Sequence, residues 1–305
     1  MSALTFVGTR SDQLAIMRPA GGAAGAFSTP VRTTTALTVV LPCYNEAERL
    51  PVTLQNLLTY LPGAPGQVEV LVVDDGSTDA TVTVADAVAA VDQRVRVLSY
   101  QPNRGKGFAV RTGMLAAEGE LIVFTDADGS YGPNELDRIV RALGEAPVAI
   151  GTRTSGTSGQ LARRAASRVF NAAIRGSLGL PFGDTQSGLK GFRRAAARQI
   201  FSQTRVDGFA FDVEVLWLAR QLRLGVAEVA VQAMEREGTK VRMLADALGM
   251  LGEVWAIRRA RATGAYGDTG QAPISPSQEA AANPAALPLA AATTPSGTPR
   301  ALQAS

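Results

Sequence analysis

Short apolar segments alternate with amphipathic segments through the middle of the chain. Five apolar runs are predicted to be buried strands: ALTVVLP, VEVLVVDD, RVRVLS, ELIVFTD and PVAIGT. Four segments with helical spacing of apolar residues lie between or after them: EAERLPVTLQNLLTYL, DATVTVADAVAAV, KGFAVRTGMLAAE and NELDRIVRALGE. Because continuous apolar strands need cover on both faces, this pattern predicts an α/β fold with a mostly parallel sheet and helices on both faces.

Both ends of the chain differ in composition from this central part. We predict a disordered segment over residues 1–34, a folded domain over 35–239 and an amphipathic helix over 240–262. Residues 263–305, rich in Ala, Pro, Ser, Thr and Gly, are predicted to be a disordered tail. Charged residues interrupt the first segment, so we expect neither a signal peptide nor a membrane span there.

Composition limits the chemistry that the chain can perform. It has no histidine and one cysteine, Cys43, which excludes Ser-His catalysis, internal disulfides and most zinc sites. A bound metal would therefore need oxygen ligands, which favours Mg²⁺ or Mn²⁺. The formal net charge of +3 is too small to indicate a nucleic-acid partner.

Polar residues follow three of the predicted strands, at Pro42–Glu46, Asp74–Asp79 and Asp126–Asp128. The carboxyl ends of parallel strands share one edge, where α/β proteins bind ligands. Asp126 and Asp128 are two residues apart, so both can face one ligand, and a divalent cation would relieve their repulsion. This indicates a metal-bound nucleoside diphosphate, although such a pair can also close a turn.

Two neighbouring loops add candidate donor contacts. Asp74 and Asp75 can accept hydrogen bonds from a base or a ribose, while Ser77, Thr78 or Asp79 can cap the next helix. The segment NRGKGFAVRTG lacks the spacing of a P-loop, but its glycines and Lys106 can approach a phosphate at a helix start.

The region from Gly151 to Val206 is strongly basic, with ten Lys or Arg residues and Asp184 as its one acid. Basic and aromatic residues are not interleaved, as they would be in many nucleic-acid-binding surfaces. We therefore expect the partners of this region to be an anionic lipid phosphate and a membrane surface. The alternative is a basic face that only contacts solvent. A phosphate acceptor is already ionised near neutral pH and needs no strong base. If the acceptor is a hydroxyl, Asp212 or Glu214 is the candidate base.

A helical stripe of Leu244, Leu248, Leu251 and Trp255 lies among arginines within residues 240–262. It fits either a helix lying on a membrane or one packing on the core.

Several of these segments together resemble the inverting nucleotide-sugar glycosyltransferases of family two. The segments VVLPCYNEAERL, LVVDDGSTDAT, NRGKGFAVRTGM and IVFTDADGSYGPNEL follow that family's order. The segments DTQSGLKGFRRAAARQIF, DGFAFDVEVLWLAR and VAEVAVQAMEREGTKVRM are similar to its dolichyl-phosphate glucosyltransferase branch, with mannosyltransferases as nearest kin. The resemblance implies a Rossmann-like GT-A fold, a metal-bound UDP- or GDP-sugar donor and a polyprenyl-phosphate acceptor.

The resemblance also implies roles for individual residues. Those implied to bind the donor are Pro42, Tyr44, Glu46, Asp74, Asp75, Lys106, Asp126 and Ala127, with Asp126 and Asp128 holding the metal. Those assigned to the acceptor phosphate are Arg153, Arg164, Arg236 and Lys240. The mannosyl branch typically has glutamine where this chain has Ser130, which favours glucose, and a tryptophan common before VQAMEREG in the glucosyl branch is absent.

We therefore expect an enzyme that transfers glucose from UDP-glucose to a polyprenyl phosphate, peripheral at the cytoplasmic face of a membrane. Three alternatives remain open: mannosyl transfer from GDP-mannose, transfer to a hydroxyl acceptor, and a nucleotide-sugar-binding, membrane-tethering protein without turnover.

Overall fold

The computed structural model describes residues 35–61, 67–153, 176, 178–234 and 243–266. Its strands are β1 Leu37–Cys43, β2 Val68–Asp74, β3 Val95–Ser99, β4 Leu121–Thr125, β5 Val148–Arg153, β6 Leu189–Arg193 and β7 Val226–Val231. Its helices are α1 Leu50–Tyr60, α2 Thr81–Ala89, α3 Lys106–Ala116, α4 Pro133–Ala142, α5 Arg194–Phe201, α6 Phe211–Gln221 and α7 Met243–Ala262.

The seven strands form one sheet in the order β3-β2-β1-β4-β6-β5-β7. All neighbouring pairs are parallel except those that β6 makes with β4 and β5. The predicted mostly parallel sheet is confirmed, as are the five predicted strands. The short strands β6 and β7 were not predicted, because β6 contains a lysine and a glycine and β7 contains a glutamate and two alanines.

Apolar side chains fill a core on each face of the sheet. One core brings residues of α3, α5, α6 and the second half of α7 together with the sheet, including Phe124, Phe192 and Phe211. The other core contains residues of α1 and α4 together with Ala85 of α2. The prediction of helices on both faces is therefore confirmed.

Strand direction brings most of the candidate site residues to one edge of the sheet, which we call the functional edge. The parallel strands β1, β2 and β4 end there, because Cys43 pairs with Asp74 and Val40 pairs with Phe124. Strand β6 runs in the opposite sense and begins at this edge, where Leu189 lies opposite Thr125. Strands β5 and β7 also end there.

The folded domain extends past the predicted boundary at residue 263. Tyr266 is 8% exposed and belongs to the core, its ring 4.8 Å from that of Trp217. Its hydroxyl donates to Oε1 of Glu214 at 2.6 Å. The tail was therefore predicted to begin too early, because one aromatic residue in a stretch of small residues gives little signal. The predicted disordered segment 1–34, and residues 267–305 of the predicted tail, lie outside the described residues.

Helix α7 packs on the core through its second half. Val254 and Ile257 are buried, and Glu253 accepts a hydrogen bond from the Ala210 backbone N–H at 2.8 Å. Trp255, predicted to lie on the apolar stripe, is 63% exposed, and the arginine side chain of Arg259 lies over its ring. Among the described residues, none of the helices combines the length and the apolar character needed to cross a bilayer.

Candidate active site at the functional edge

The centre of the functional edge is the turn that follows β4. In this turn Oδ1 of Asp126 lies 2.6 Å from Nζ of Lys106 at the start of α3. Oδ1 of Asp128 accepts a hydrogen bond from the Ser130 N–H at 2.9 Å, so this carboxylate also closes its own turn. Burial alone would lower the pKa of Lys106. The negative charges of Asp126 and then Asp212 outweigh this effect and raise the pKa above its usual value, so the ammonium is firmly charged.

The two aspartates fit the divalent metal that the sequence predicts. Both side chains are partly exposed at the edge, and a magnesium-type site commonly uses one or two carboxylates, water and substrate phosphates. The backbone of Gly188 lies against the Asp126 carboxylate, and a methyl group at Gly188 would overlap with it. This close approach fixes one side of the carboxylate. Lys106 already pairs with it, and a bound metal with a diphosphate would either take the place of this lysine or bind beside it.

The turn is supported from beneath by α1. The hydroxyl of Thr53 donates to the carbonyl oxygen of Ala127 at 2.8 Å. Ala127 itself is 3% exposed, so a nucleotide-sugar would contact its backbone rather than its side chain. This contact ties the turn that follows β4 to the core on the α1 face.

The loop after β2 places its two aspartates differently from the prediction. Asp75 is 3% exposed, and its carboxylate accepts hydrogen bonds from the Asn103 amide and from the backbone N–H groups of Arg104 and Gly105, at 2.8–2.9 Å. Asp74 is fully buried and accepts from Ser99 Oγ at 3.0 Å. Asp75 therefore holds the loop that leads to Lys106, whereas Asp74 holds the end of β3. Their predicted contact with base or ribose would have to be made in addition.

The loop after β1 is joined to the same region. Asn45 has φ 55°, its backbone N–H donates to Ser77 Oγ at 2.9 Å, and its side chain accepts from the Thr78 N–H at 2.8 Å. This leaves Tyr44 46% exposed at the edge, where a ring can stack on a base.

The remaining predicted base-side residues, Pro42 and Glu46, lie on either side of Tyr44. Pro42 is the second-last residue of β1, close to the edge. The carboxylate of Glu46 pairs with Arg49 at 2.6 Å. Asp79, one of three predicted caps, accepts from the Thr81 N–H at 2.9 Å where α2 begins.

A buried ion pair lies behind the turn, between Lys190 of β6 and Asp212 of α6. Nζ of Lys190 is 2.6 Å from Oδ1 of Asp212 and donates to the Ser187 carbonyl at 2.6 Å. The lysine is fully buried, and the Asp212 side chain is 7% exposed. Burial raises the pKa of Asp212 despite the adjacent ammonium.

This environment argues against the predicted use of Asp212 as a base. Its carboxylate is enclosed and already paired, so it does not reach an acceptor hydroxyl at the surface. Glu214, the other candidate base, accepts from Tyr266 and from the backbone N–H groups of Arg205 and Val206 on the core side of α6. Sequence reasoning missed Lys190, although a lysine in an apolar, strand-like segment was the available signal.

Arg153 ends β5 at the functional edge. Its guanidinium makes two contacts with Asp184, Nε–Oδ2 at 2.7 Å and Nη2–Oδ1 at 3.2 Å, while 43% of its side chain stays exposed. Burial raises the pKa of Asp184, but the bond to Arg153 outweighs it and the pKa lies below its usual value. Arg153 is thus placed where an acceptor phosphate could reach it.

The basic region does not form one surface. Besides the buried Lys190, Arg193 and Arg194 lie at the opposite edge of the sheet, since Arg193 pairs with Leu121 at the start of β4. Their guanidiniums bind backbone carbonyls at Leu143, Gly144 and Gly119. Arg193 and Arg194 therefore do not lie where an acceptor phosphate at the functional edge would be bound. Arg164, Arg236 and Lys240 lie outside the described residues.

Tyr131 joins three segments at this edge. Its hydroxyl lies 3.1 Å from Ser187 Oγ, and its backbone forms an isolated bridge with Ala233. The N–H of Met234 donates to the carbonyl of Ser130 at 2.8 Å. Residues 233 and 234 therefore lie beside the turn that follows β4, which the sequence did not predict.

Comparisons with known proteins agree with this arrangement. A family model described as Glycosyl transferase family 2 matches residues 38–201. The chain is 40% identical over 229 residues to a dolichyl-phosphate beta-glucosyltransferase of Drosophila melanogaster, with 67% of this chain and 69% of that protein covered. It is 34% identical over 224 residues to a polyprenol monophosphomannose synthase of Mycolicibacterium smegmatis, with 70% and 83% covered.

A solved structure shares the fold. The crystal structure of glucosyl-3-phosphoglycerate synthase from Mycobacterium tuberculosis, in complex with Mn²⁺, UDP and glucosyl-3-phosphoglycerate, matches with a TM-score of 0.56 at 22% identity. The match covers 74% of this chain and 81% of that one.

Proposed function

Because the chain belongs to glycosyltransferase family 2 and has the GT-A fold, we propose that it transfers glucose from UDP-glucose to a polyprenyl phosphate of the dolichyl type. The observation that carries this proposal is the likeness to a dolichyl-phosphate beta-glucosyltransferase over two thirds of each chain. The strand-end geometry supports it, since one edge offers an exposed tyrosine, a pair of aspartates and two cations.

The donor would lie across the ends of β1, β2 and β4. Tyr44 would stack on the base, and Lys106 would bind the diphosphate next to Asp126. A divalent metal held by Asp126 and Asp128 would neutralise charge on the leaving UDP. An oxygen of the acceptor phosphate would form the new bond to the anomeric carbon as the bond to UDP breaks.

The acceptor phosphate would approach from the β5 side of the edge. Arg153 is half exposed there and offers a planar guanidinium, which suits an oxyanion. Since the phosphate is already ionised, no residue has to take its proton. This agrees with the burial of Asp212, which leaves that side chain unsuited to act as a base.

Membrane association is part of the same proposal, because a polyprenyl acceptor stays in the bilayer. We propose a peripheral position at the cytoplasmic face, with the exposed face of α7 towards the lipid. That face carries Trp255, Arg258 and Arg259, which combine an interfacial aromatic ring with positive charge.

A donor and acceptor screen tests the proposal. Purified protein would be given radiolabelled UDP-glucose or GDP-mannose with a short polyprenyl phosphate, with Mg²⁺, Mn²⁺ or EDTA. We expect labelled lipid from UDP-glucose with a metal. Product from GDP-mannose alone would favour the mannosyl alternative, which the likeness to a polyprenol monophosphomannose synthase supports. Transfer to a hydroxyl acceptor, or no turnover at all, would contradict the proposal.

The acceptor assignment has its own matched test. Arg153→Ala should lower transfer to polyprenyl phosphate by about ten- to a hundredfold, because a charge-assisted bond to phosphate contributes roughly 1.5–3 kcal/mol. UDP affinity, measured by calorimetry, should change little. Arg198→Ala is the control, since Arg198 is exposed on α5 and donates to the Ala117 carbonyl. Equal transfer by both variants would remove Arg153 from the acceptor site.

A further inference from the structure

The pair Lys190–Asp212 contacts neither the surface nor the predicted positions of donor and acceptor, yet it adjoins the metal-binding turn. Lys190 lies on β6, next to β4, with its ammonium 5.5 Å from the ring centroid of Phe124. A buried ammonium is costly without partners, and this one has two, the Asp212 carboxylate and the Ser187 carbonyl.

The bond to Ser187 links Lys190 to the metal ligand. Ser187 precedes Gly188, whose backbone lies so close to the Asp126 carboxylate that a side chain would not fit. Ser187 also bonds Tyr131 through its hydroxyl. The ammonium of Lys190 thus holds the segment that forms one wall of the Asp126 carboxylate.

The bond to Asp212 links Lys190 to the second cation of the site. Lys106 pairs with Asp126, and its ammonium lies 6.0 Å from the ring centroid of Phe211, the residue before Asp212. The charge of Asp212 raises the pKa of Lys106, which places the two lysines and the two aspartates in one electrostatic network. With Lys190 absent, Asp212 would be an uncompensated buried charge, and Lys106 is the other lysine whose charge acts on it.

We propose that Lys190 is a positioning residue that fixes the Asp126 carboxylate for metal binding, by holding the Ser187–Gly188 backbone and by keeping Asp212 from competing for Lys106. This inference rests on the proposed function, because it needs a metal-bound nucleotide. Groups that hold metal ligands in place typically change metal affinity or activity by about 10–100-fold when they are removed.

The test separates position from stability. Lys190→Met leaves Asp212 buried and unpaired, so it should lower both the melting temperature and the Mn²⁺ affinity of the UDP-bound protein, the latter by about 10–100-fold. Lys190→Met/Asp212→Leu removes both charges together, and a buried pair replaced by apolar residues is often neutral for stability. The double variant should therefore regain most of the melting temperature but not the Mn²⁺ affinity.

Ile200→Ala is the control for general weakening of the same core. Ile200 is buried in α5 outside the site, so this variant should melt earlier and bind Mn²⁺ with UDP like the parent. Calorimetry of Mn²⁺ binding, thermal melts and the separation of KM from kcat provide the readouts. If Lys190→Met does not fold, the double variant alone decides.

The outcomes distinguish this inference from the proposed function. A parent protein that binds no UDP with Mn²⁺ would overturn the proposed function and the role of Lys190 with it. A parent that binds both, together with a double variant of parental Mn²⁺ affinity and turnover, would overturn the role of Lys190 alone.

Discussion

Tyr266 allows the folded boundary of the domain to be tested by two truncations three residues apart. A chain that ends at Thr263 loses Tyr266, whereas a chain that ends at Tyr266 keeps it. The ring packs on Trp217 and the hydroxyl donates to Glu214 at 2.6 Å. Large aromatic side chains removed from a core cost about 3–5 kcal/mol, and the position at the margin of the core favours the lower end, about 3 kcal/mol.

Tyr266→Phe separates the contribution of the hydroxyl group from that of the ring. Glu214 keeps its bonds from the N–H groups of Arg205 and Val206, so loss of the hydroxyl should cost about 1 kcal/mol. For a domain of this size 1 kcal/mol shifts Tm by about 2–4 °C, which predicts a fall of about 2–4 °C for Tyr266→Phe and about 6–12 °C for the chain ending at Thr263.

Thermal melts followed by circular dichroism would measure these shifts. The chain ending at Tyr266 is the control, and the composition of residues 267–305 predicts the parental Tm for it. If both truncated chains melt at the same temperature, Tyr266 does not stabilise the domain and the boundary argued from its burial is wrong.

Three further predictions concern the functional edge. Asp128→Asn should lower turnover by about a hundredfold or more while keeping the fold, since metal charge neutralisation supplies several kcal/mol, and full activity of the parent in EDTA would contradict the metal role. The pKa of Asp184 is lowered in the folded protein, so its ion pair with Arg153 stabilises the fold at pH values above the ordinary carboxyl pKa, and this contribution is lost as the pH falls. When the pH is lowered from neutral to acidic, the Tm of Asp184→Asn should therefore fall by less than the Tm of the parent. Gly188→Ala should weaken Mn²⁺ binding with UDP by displacing the Asp126 carboxylate, whereas Gly252→Ala, whose methyl group meets open space, should not; equal affinities would refute the close approach.

Periodicity was sufficient for the part of the fold in which apolar strands alternate with helices along the chain. Strands β1 to β5 are short, mostly apolar segments, and strand direction alone brought Tyr44 and Asp126 to one edge. Strand β6 gave no such signal, because it is only five residues long and contains Lys190, Gly191 and Arg193. Its antiparallel pairing with β4 and β5 also departs from the parallel arrangement that alternating strands and helices predict.

The roles of charged residues were harder to predict than their positions. Asp75 was assigned to the donor, but the backbone of Arg104 and Gly105 occupies its carboxylate. The basic region was expected to contact an anionic lipid, but strand β6 carries Arg193 to the edge opposite Arg153. A sequence gives charge at each position, whereas the partner of that charge depends on contacts between distant segments.

The place of β6 between β4 and β5 has a consequence for how the chain folds during synthesis. Strands β3, β2, β1 and β4 can pair as soon as residue 125 has emerged, because each lies beside a partner already made. Strand β4, with the sequence LIVFT, then remains an open edge until residues 189–193 arrive. An apolar open edge is prone to pair with other chains, so the interval of more than sixty residues is the period in which we expect the nascent chain to depend most on chaperones.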